Sequence, residues 1–380
     1  MNVSRRGFLA AGLSGMAGAA AGSVLAQHSP AAGATPATDQ PFASYLAVDL
    51  ATRTPSETDD LLRALTDRIT TLHRTTTPNN RSIATAPADP GTLGPTVAPG
   101  RLTTNIGYGA SFFDRWHTDR RPRGLTPMRE FPDDGLDRDR CDGDLLLEIR
   151  AGESDEVSYA VRELLRAGRG GMTVRWQQEG TVPPPRPAGA PRNHLGFKDG
   201  TANLTAEDFP THVWLDGTEQ PWTRGGTFVV VRLIRMLTEF WDRISVTEQE
   251  QIFGRDRGTG APLDGSVETD VPHYADDPTG DVIPLTSHIR KANPRTADSD
   301  ASRIFRRTYN YSAGVLPDGE LDLGLIFTCL QRDIAGQFET VQERLAGEPL
   351  VDYITPFGGG YFYLPPREPG MDASTIGGLL

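Results

Sequence analysis

Two stretches of this chain run through the same order of elements, strand, helix, strand, strand, helix, strand, and that repeat narrows the choice of fold more than any other feature. In the first, SYLAVDL (Ser44–Leu50) alternates as a strand does, and SETDDLLRALTDRITTL (Ser56–Leu72) has helical spacing with Ser56 placed to cap it. LTTNIGYG and DLLLEIRA read as further strands, SDEVSYAVRELLRAG as an amphipathic helix ended by Gly168, and MTVRWQQEG as the fourth strand. The second stretch has larger insertions: GGTFVVVRLIRM, RRTYNYS, LDLGLIFTCL and GGGYFYLP are its strands, and SVTEQEQIFG and DIAGQFETVQERLAG its helices, the former stopped by Gly254. Each set is the βαββαβ order of a ferredoxin-like unit. The expected class is α+β, with residues 27–190 and 191–380 as related halves and the Pro-rich TVPPPRPAGAPRN crossing between them.

Ahead of the repeat stand Arg5 and Arg6, a run of small apolar residues, and Val24-Leu25-Ala26. This reads as a twin-arginine export signal over residues 1–26, with a periplasmic or extracellular destination. Its apolar run is too short and too rich in Gly and Ala for a good membrane span, and no later segment is apolar for long enough. A net charge of −12 argues against nucleic acid and anionic membrane as partners, since both are bound through basic surfaces. Cys141 and Cys329 stand far apart and outside any CxxC or CxxCH pattern, which disfavours a thiolate zinc site and covalent haem attachment; they read as buried thiols.

Walker A, HExxH and GxSxG signatures are all absent. What remains is a group of polar segments at the edges of apolar strands. In Gly196-Phe197-Lys198-Asp199-Gly200-Thr201-Ala202-Asn203, two glycines let the backbone turn tightly around an acidic residue, as a surface turn or as an approach to a ligand. In Ser287-His288-Ile289-Arg290-Lys291-Ala292-Asn293-Pro294-Arg295, followed by Arg303, Arg306 and Arg307, an imidazole able to ligate iron stands among guanidinium groups suited to carboxylates. The long polar insert from Gly254 to Pro284 is of a length that is usually functional or disordered.

Taken together, GFKDGTAN, SHIRKANPRT and the Arg306–Tyr311 stretch resemble the dye-decolorizing peroxidases, and within them the exported periplasmic deferrochelatase/peroxidase branch. RGGTFVVVRLIRM, FWDRISVTEQEQIFGRDRGTGAPL, DVPHYADDP and TPFGGGYFYLP extend the resemblance over nearly all of the chain after residue 26, in the same motif order. The resemblance implies two ferredoxin-like halves forming a dimeric α+β barrel-type fold, with one non-covalent haem b in the second half. It implies His288 as the iron ligand, Asp199 as the distal acid and Arg306 as the distal arginine. Gly200, Thr201 and Ala202 would line the distal face of the haem, and Asn293, Pro294 and Arg295 would contact the haem and its propionates.

The partners so implied are hydrogen peroxide and small electron donors, and the alternative function is release of iron from haem in the cell envelope, with iron-uptake components as partners. A homo-oligomer is a further expectation. Asp352 is the expected acceptor for the second nitrogen of His288. Trp222, Trp241, Tyr309, Tyr311, Tyr361 and Tyr363 are candidate electron relays among which the sequence does not choose. The apolar end, Ile376 to Leu380, reads as a segment packed on the body of the protein.

Overall fold

Every strand-forming run becomes a strand. The computed structural model describes residues 39–78, 84–98 and 100–366; the twin arginine, the cleavage site and the apolar end lie outside the described residues. The first half contributes β1 (Phe42–Leu50), α1 (Pro55–Leu72), β2 (Thr103–Gly109), α2 (Ala110–Trp116), β3 (Leu145–Ala151), α3 (Ser154–Ala167) and β4 (Met172–Thr181). The second contributes α4 (Phe209–His212), β5 (Thr227–Met236), α5 (Thr238–Trp241), α6 (Val246–Phe253), α7 (His288–Ala292), α8 (Ala297–Asp300), β6 (Phe305–Val315), β7 (Leu321–Gln331), α9 (Thr340–Leu345) and β8 (Ile354–Leu364).

The strands close into one barrel in the order β1-β3-β2-β8-β5-β7-β6-β4. Within each half this is the ferredoxin-like order, β4-β1-β3-β2 and β8-β5-β7-β6. The halves join where β2 meets β8, at Tyr108↔Tyr363 and Gly109↔Phe362, and where β4 meets β6, at Thr181↔Asn310. Side chains from both halves fill the interior, among them Tyr45, Ala47, Leu146, Trp176, Val229, Val231, Leu233, Tyr309, Ile326 and Phe362. Phe228 and Val230, on the other face of β5, are buried as well. A strand covered on both faces reads as a continuous apolar run, which is why FVVV shows no alternation.

On the outer face of the first half, α1 buries Leu61, Leu62, Leu65, Ile69 and Leu72, and α3 ends at Gly168 as its sequence indicates. The cap of α1 differs from the expectation. Thr54, not Ser56, accepts from the backbone N–H of Glu57 (3.2 Å), because Pro55 takes the first helical position and moves the start two residues back. DIAGQFETVQERLAG also departs from a single regular helix: Ile334–Glu339 is a π-helical turn that runs into α9.

The insert is ordered by its own carboxylates. Asp277 accepts from the N–H of Asp281 (2.7 Å) and Ile283 (2.9 Å), and Asp270 from Ser266 (2.7 Å) and Val267 (2.9 Å). Cys141 and Cys329 are buried and unpaired. Among the described residues no helix is long and apolar enough to cross a membrane.

Candidate active site

A five-residue helix has little stability of its own, so α7 must be held by its neighbours. Arg290 does this on one side, donating to Asp277 Oδ2 (3.1 Å), Asp277 O (2.6 Å) and Ile283 O (2.7 Å) in the insert. On the other side Lys291 Nζ donates to Ala346 O (2.7 Å) beyond α9. Behind α7 stands Gly254, in the left-handed conformation (φ 82°) that ends α6, where an added Cβ would lie 2.8 Å from Ile289 Cγ1 and 2.9 Å from Ser287 Oγ.

His288 opens this pinned helix. Its Nδ1 lies 3.0 and 2.9 Å from the two carboxylate oxygens of the buried Glu348. A carboxylate accepts here, so Nδ1 carries the hydrogen and, in the neutral ring, Nε2 keeps a free lone pair. Burial alone would push this imidazole down in pKa, but the adjacent Glu348 outweighs it and the value is raised above the ordinary histidine range. The expected acceptor, Asp352, is displaced from the role: it sits exposed in the turn Pro349–Tyr353. The chain reverses at Gly347 (φ 66°), and that reversal turns Glu348 back onto α7.

The loop after the Pro-rich crossing brings the second group of residues to the same cavity. Gly196 and Gly200 take φ values of 87° and 101°, which L side chains rarely adopt, and Asp199 sits between them with its N–H donating to Pro191 O (2.9 Å). Asp199 Oδ1 is 3.9 Å from Arg306 Nη1. Glu268, from the insert, grips the loop on both sides of Asp199: it pairs with Lys198 and accepts from Thr201 Oγ1 (2.8 Å) and the N–H of Ala190 (2.9 Å). Asn203 joins the loop to β6, with Oδ1 accepting from the N–H of Arg306 (2.9 Å) and Nδ2 donating to its carbonyl (2.7 Å).

His288, Asp199 and Arg306 all line one cavity whose walls include Leu195, Phe253, Ile289, Leu325, Phe327, Phe338 and Ile354. Gly200 borders it with open space, since a Cβ there would meet no heavy atom within 4 Å. Toward one end, shared with a neighbouring cleft, the lining becomes cationic through Arg255, Arg295 and Arg303. Burial, and then the charges of Arg306 and Arg295, pull the guanidinium of Arg255 down in pKa. An apolar slot with an imidazole nitrogen able to ligate iron and an anion-seeking end fits haem, whose macrocycle is flat and apolar and whose propionates are anionic.

Of the residues expected to contact haem, Gly200, Thr201, Ala202, Asn293 and Arg295 line the cavity, whereas Pro294 is not among its lining residues. Thr201 faces it with its hydroxyl already bound to Glu268. Five of the six candidate relays, Trp241, Tyr309, Tyr311, Tyr361 and Tyr363, are buried core aromatics.

Comparison with known proteins agrees with the cavity. Residues 32–181 match the family model for the N-terminal part of Dyp-type peroxidases, and residues 190–369 match the C-terminal part. This chain belongs to the Dyp-type peroxidase family. It is accordingly a haem-dependent peroxidase. The peroxidase is 44% identical over 336 residues to the Deferrochelatase of Escherichia coli strain K12, covering 84% of this chain and 79% of that one. The DyP-type peroxidase of Cellulomonas bogoriensis superposes with a TM-score of 0.78 at 34% identity, covering 87% and 91% of the two chains. That of Streptomyces coelicolor gives 0.80 at 30%, covering 93% and 95%.

Four residues around the cavity were given no role from the sequence. Glu348 and Asn203 are 60 and 103 positions from their partners. Glu268 lies in an insert without periodicity, and only its position before a run of turn residues could have drawn attention to it. Arg232 reads as a strand residue, yet it is buried in the cavity wall, paired with Asp134 from the first half and 5.5 Å over the Phe131 ring.

Proposed function

We propose that the cavity takes one non-covalent haem b with Nε2 of His288 on its iron, and that Asp199 and Arg306 activate hydrogen peroxide beside it. The observation that carries this reading is the meeting, in a single apolar cavity, of an imidazole whose other nitrogen is held by a buried carboxylate and a carboxylate–guanidinium pair 3.9 Å apart. When bound, haem supplies the redox chemistry, accepting oxidising equivalents from peroxide and passing them to electron donors.

The protein's own groups supply the proton and the charge. Asp199, as a carboxylate, takes the proton from one peroxide oxygen and returns it to the other, so that water can leave. Arg306 directs guanidinium hydrogens at the oxygen that gains negative charge as the O–O bond breaks. Glu348 holds the Nδ1 hydrogen of His288, which fixes the ring and strengthens Nε2 as a ligand. Arg255 and Arg295 would meet the propionates.

The 44% identity to proteins named Deferrochelatase supports a second reading, in which the same cavity releases iron from haem and passes it to an iron-uptake component. Product analysis separates the two. Peroxide-dependent oxidation of a dye or phenol, without loss of iron, supports the peroxidase reading; chelatable iron together with intact metal-free porphyrin supports the other. Export by the twin-arginine route to the periplasm or beyond is supported by Arg5, Arg6 and the small-residue run to Ala26. Replacing both arginines by lysine should leave the protein in the cytoplasm, and continued export would refute that route.

A further inference from the structure

We infer that Asn203 is a positioning residue for this reaction, setting Arg306 at its distance from Asp199; the inference rests on the reading of Arg306 given above. Among the described residues, the backbone of β6 at Arg306 has no strand beside it on the β4 side, because β4 pairs with β6 at Thr181↔Asn310, four residues further on. One side chain takes the place of a strand. Asn203 Oδ1 accepts from the N–H of Arg306 and Asn203 Nδ2 donates to its carbonyl, at 2.9 and 2.7 Å.

This reciprocal contact needs a carboxamide. An ionised aspartate offers acceptors alone, and an alanine neither group. The amide orientation is determined as well, since Oδ1 also accepts from the N–H of Leu204 (3.1 Å) and a flipped amide would set donors against donors.

Asn203 lies four residues after Asp199, in a loop that Glu268 already holds at Lys198 and Thr201. The segment that carries the carboxylate is thus fastened directly to the residue that carries the guanidinium. Their 3.9 Å separation is too long for a hydrogen bond yet short enough for one small molecule to touch both. Arg306 is the second residue of β6, at the end of the strand where backbone drift is least resisted. A displacement of about 1 Å between groups that act together can cost on the order of 100-fold in rate.

The test compares Asn203→Ala, Asn203→Asp, Arg306→Leu and the Asn203→Ala/Arg306→Leu double variant in the haem-loaded full chain. Fluoride binding to the ferric protein, read by absorption, reports the guanidinium as a hydrogen-bond donor to a bound anion. Amide exchange at Arg306, followed with and without haem, reports the clamp itself. Asn203→Ala should keep its haem content and ferric spectrum, exchange the Arg306 amide faster, bind fluoride about 10-fold more weakly, and react with peroxide about 10- to 100-fold more slowly. Asn203→Asp, which retains an acceptor for the N–H, should fall between Asn203→Ala and the parent. The double variant should be no slower than Arg306→Leu alone, because both changes remove the same contribution. Parent fluoride affinity and parent peroxide rate in Asn203→Ala, beside an impaired Arg306→Leu, would overturn the inference and leave the reading of Arg306 standing. Losses that multiply in the double variant would overturn it too. Arg306→Leu reacting at the parent rate would instead remove the reading itself, and the inference with it.

Discussion

The hydrogen on Nδ1 of His288 is committed to Glu348, and two expectations follow at the scale of these residues. Glu348→Gln keeps a hydrogen-bond acceptor but removes the charge, so haem should remain bound while its midpoint potential rises and the peroxide reaction slows about 10-fold. Potentiometric titration checks this, and an unchanged potential would show that the carboxylate does not tune the ligand. The raised pKa of His288 gives the second. In the haem-free protein the His288–Glu348 pair contributes stability that is fully present below the unfolded value of about 6.5 and is lost as pH rises through the higher folded value. Ligation needs the neutral ring, so haem uptake should weaken as pH falls below that folded value. Uptake measured from about pH 5 to 8 should decline on the acid side, and a flat profile would contradict it. His288, Asp199 and Arg306 were singled out through the family resemblance of their motifs, each too weak alone, and the structure brings all three to one cavity. Glu348 was not: Asp352 was expected in its place, and what brings Glu348 to His288 instead is the chain reversal at Gly347, which has no periodic signature.

At the scale of elements, α7 is a short helix held from outside, and Gly254 is the point where α6 leans on it. Gly254→Ala would place a methyl group against Ile289 and Ser287 in a conformation (φ 82°) that alanine resists. A loss of about 1–3 kcal/mol is expected, with weaker haem retention because the strain falls on the helix that presents His288. Thermal unfolding and haem dissociation together measure it; lowered stability with parent haem retention would show that α6 does not position α7. The glycine was read from sequence as a helix stop, and it is one. Its packing role was hidden because Ile289 and Ser287 are more than thirty residues away. The π-helical turn before α9 was hidden for another reason: DIAGQFETVQERLAG keeps an adequate helical pattern even though Asp333 and Gln337 rearrange its first turn through hydrogen bonds to Gly336 N and Arg332 N.

For the whole molecule, the repeat made the two ferredoxin-like units legible, while their closure into one barrel was expected only from the family resemblance. The seams are two residue pairs at β2–β8 and one residue pair at β4–β6, too short to leave a pattern in either strand. What makes closure obligatory is the interior, where Tyr45, Leu146 and Trp176 of one half pack with Val231, Tyr309 and Phe362 of the other. We therefore propose that the halves are not independent folding units. Residues 191–380 produced alone should be insoluble or bind no haem, and a soluble, haem-binding second half would refute this. Asp134 supports the same view from the cavity side, since it brings a first-half carboxylate to Arg232 in the cavity wall. Rapid mixing of the ferric holoprotein with hydrogen peroxide, followed at the haem absorption band, measures directly how the assembled protein meets peroxide. Asp199→Asn and Arg306→Leu should both retain haem and both react more slowly, with Arg306→Leu the slower at about 100-fold or more below the parent, because charge stabilisation in a dry cavity is harder for water to replace than a base. Parent rates in both variants would contradict the account, even with haem in place on His288.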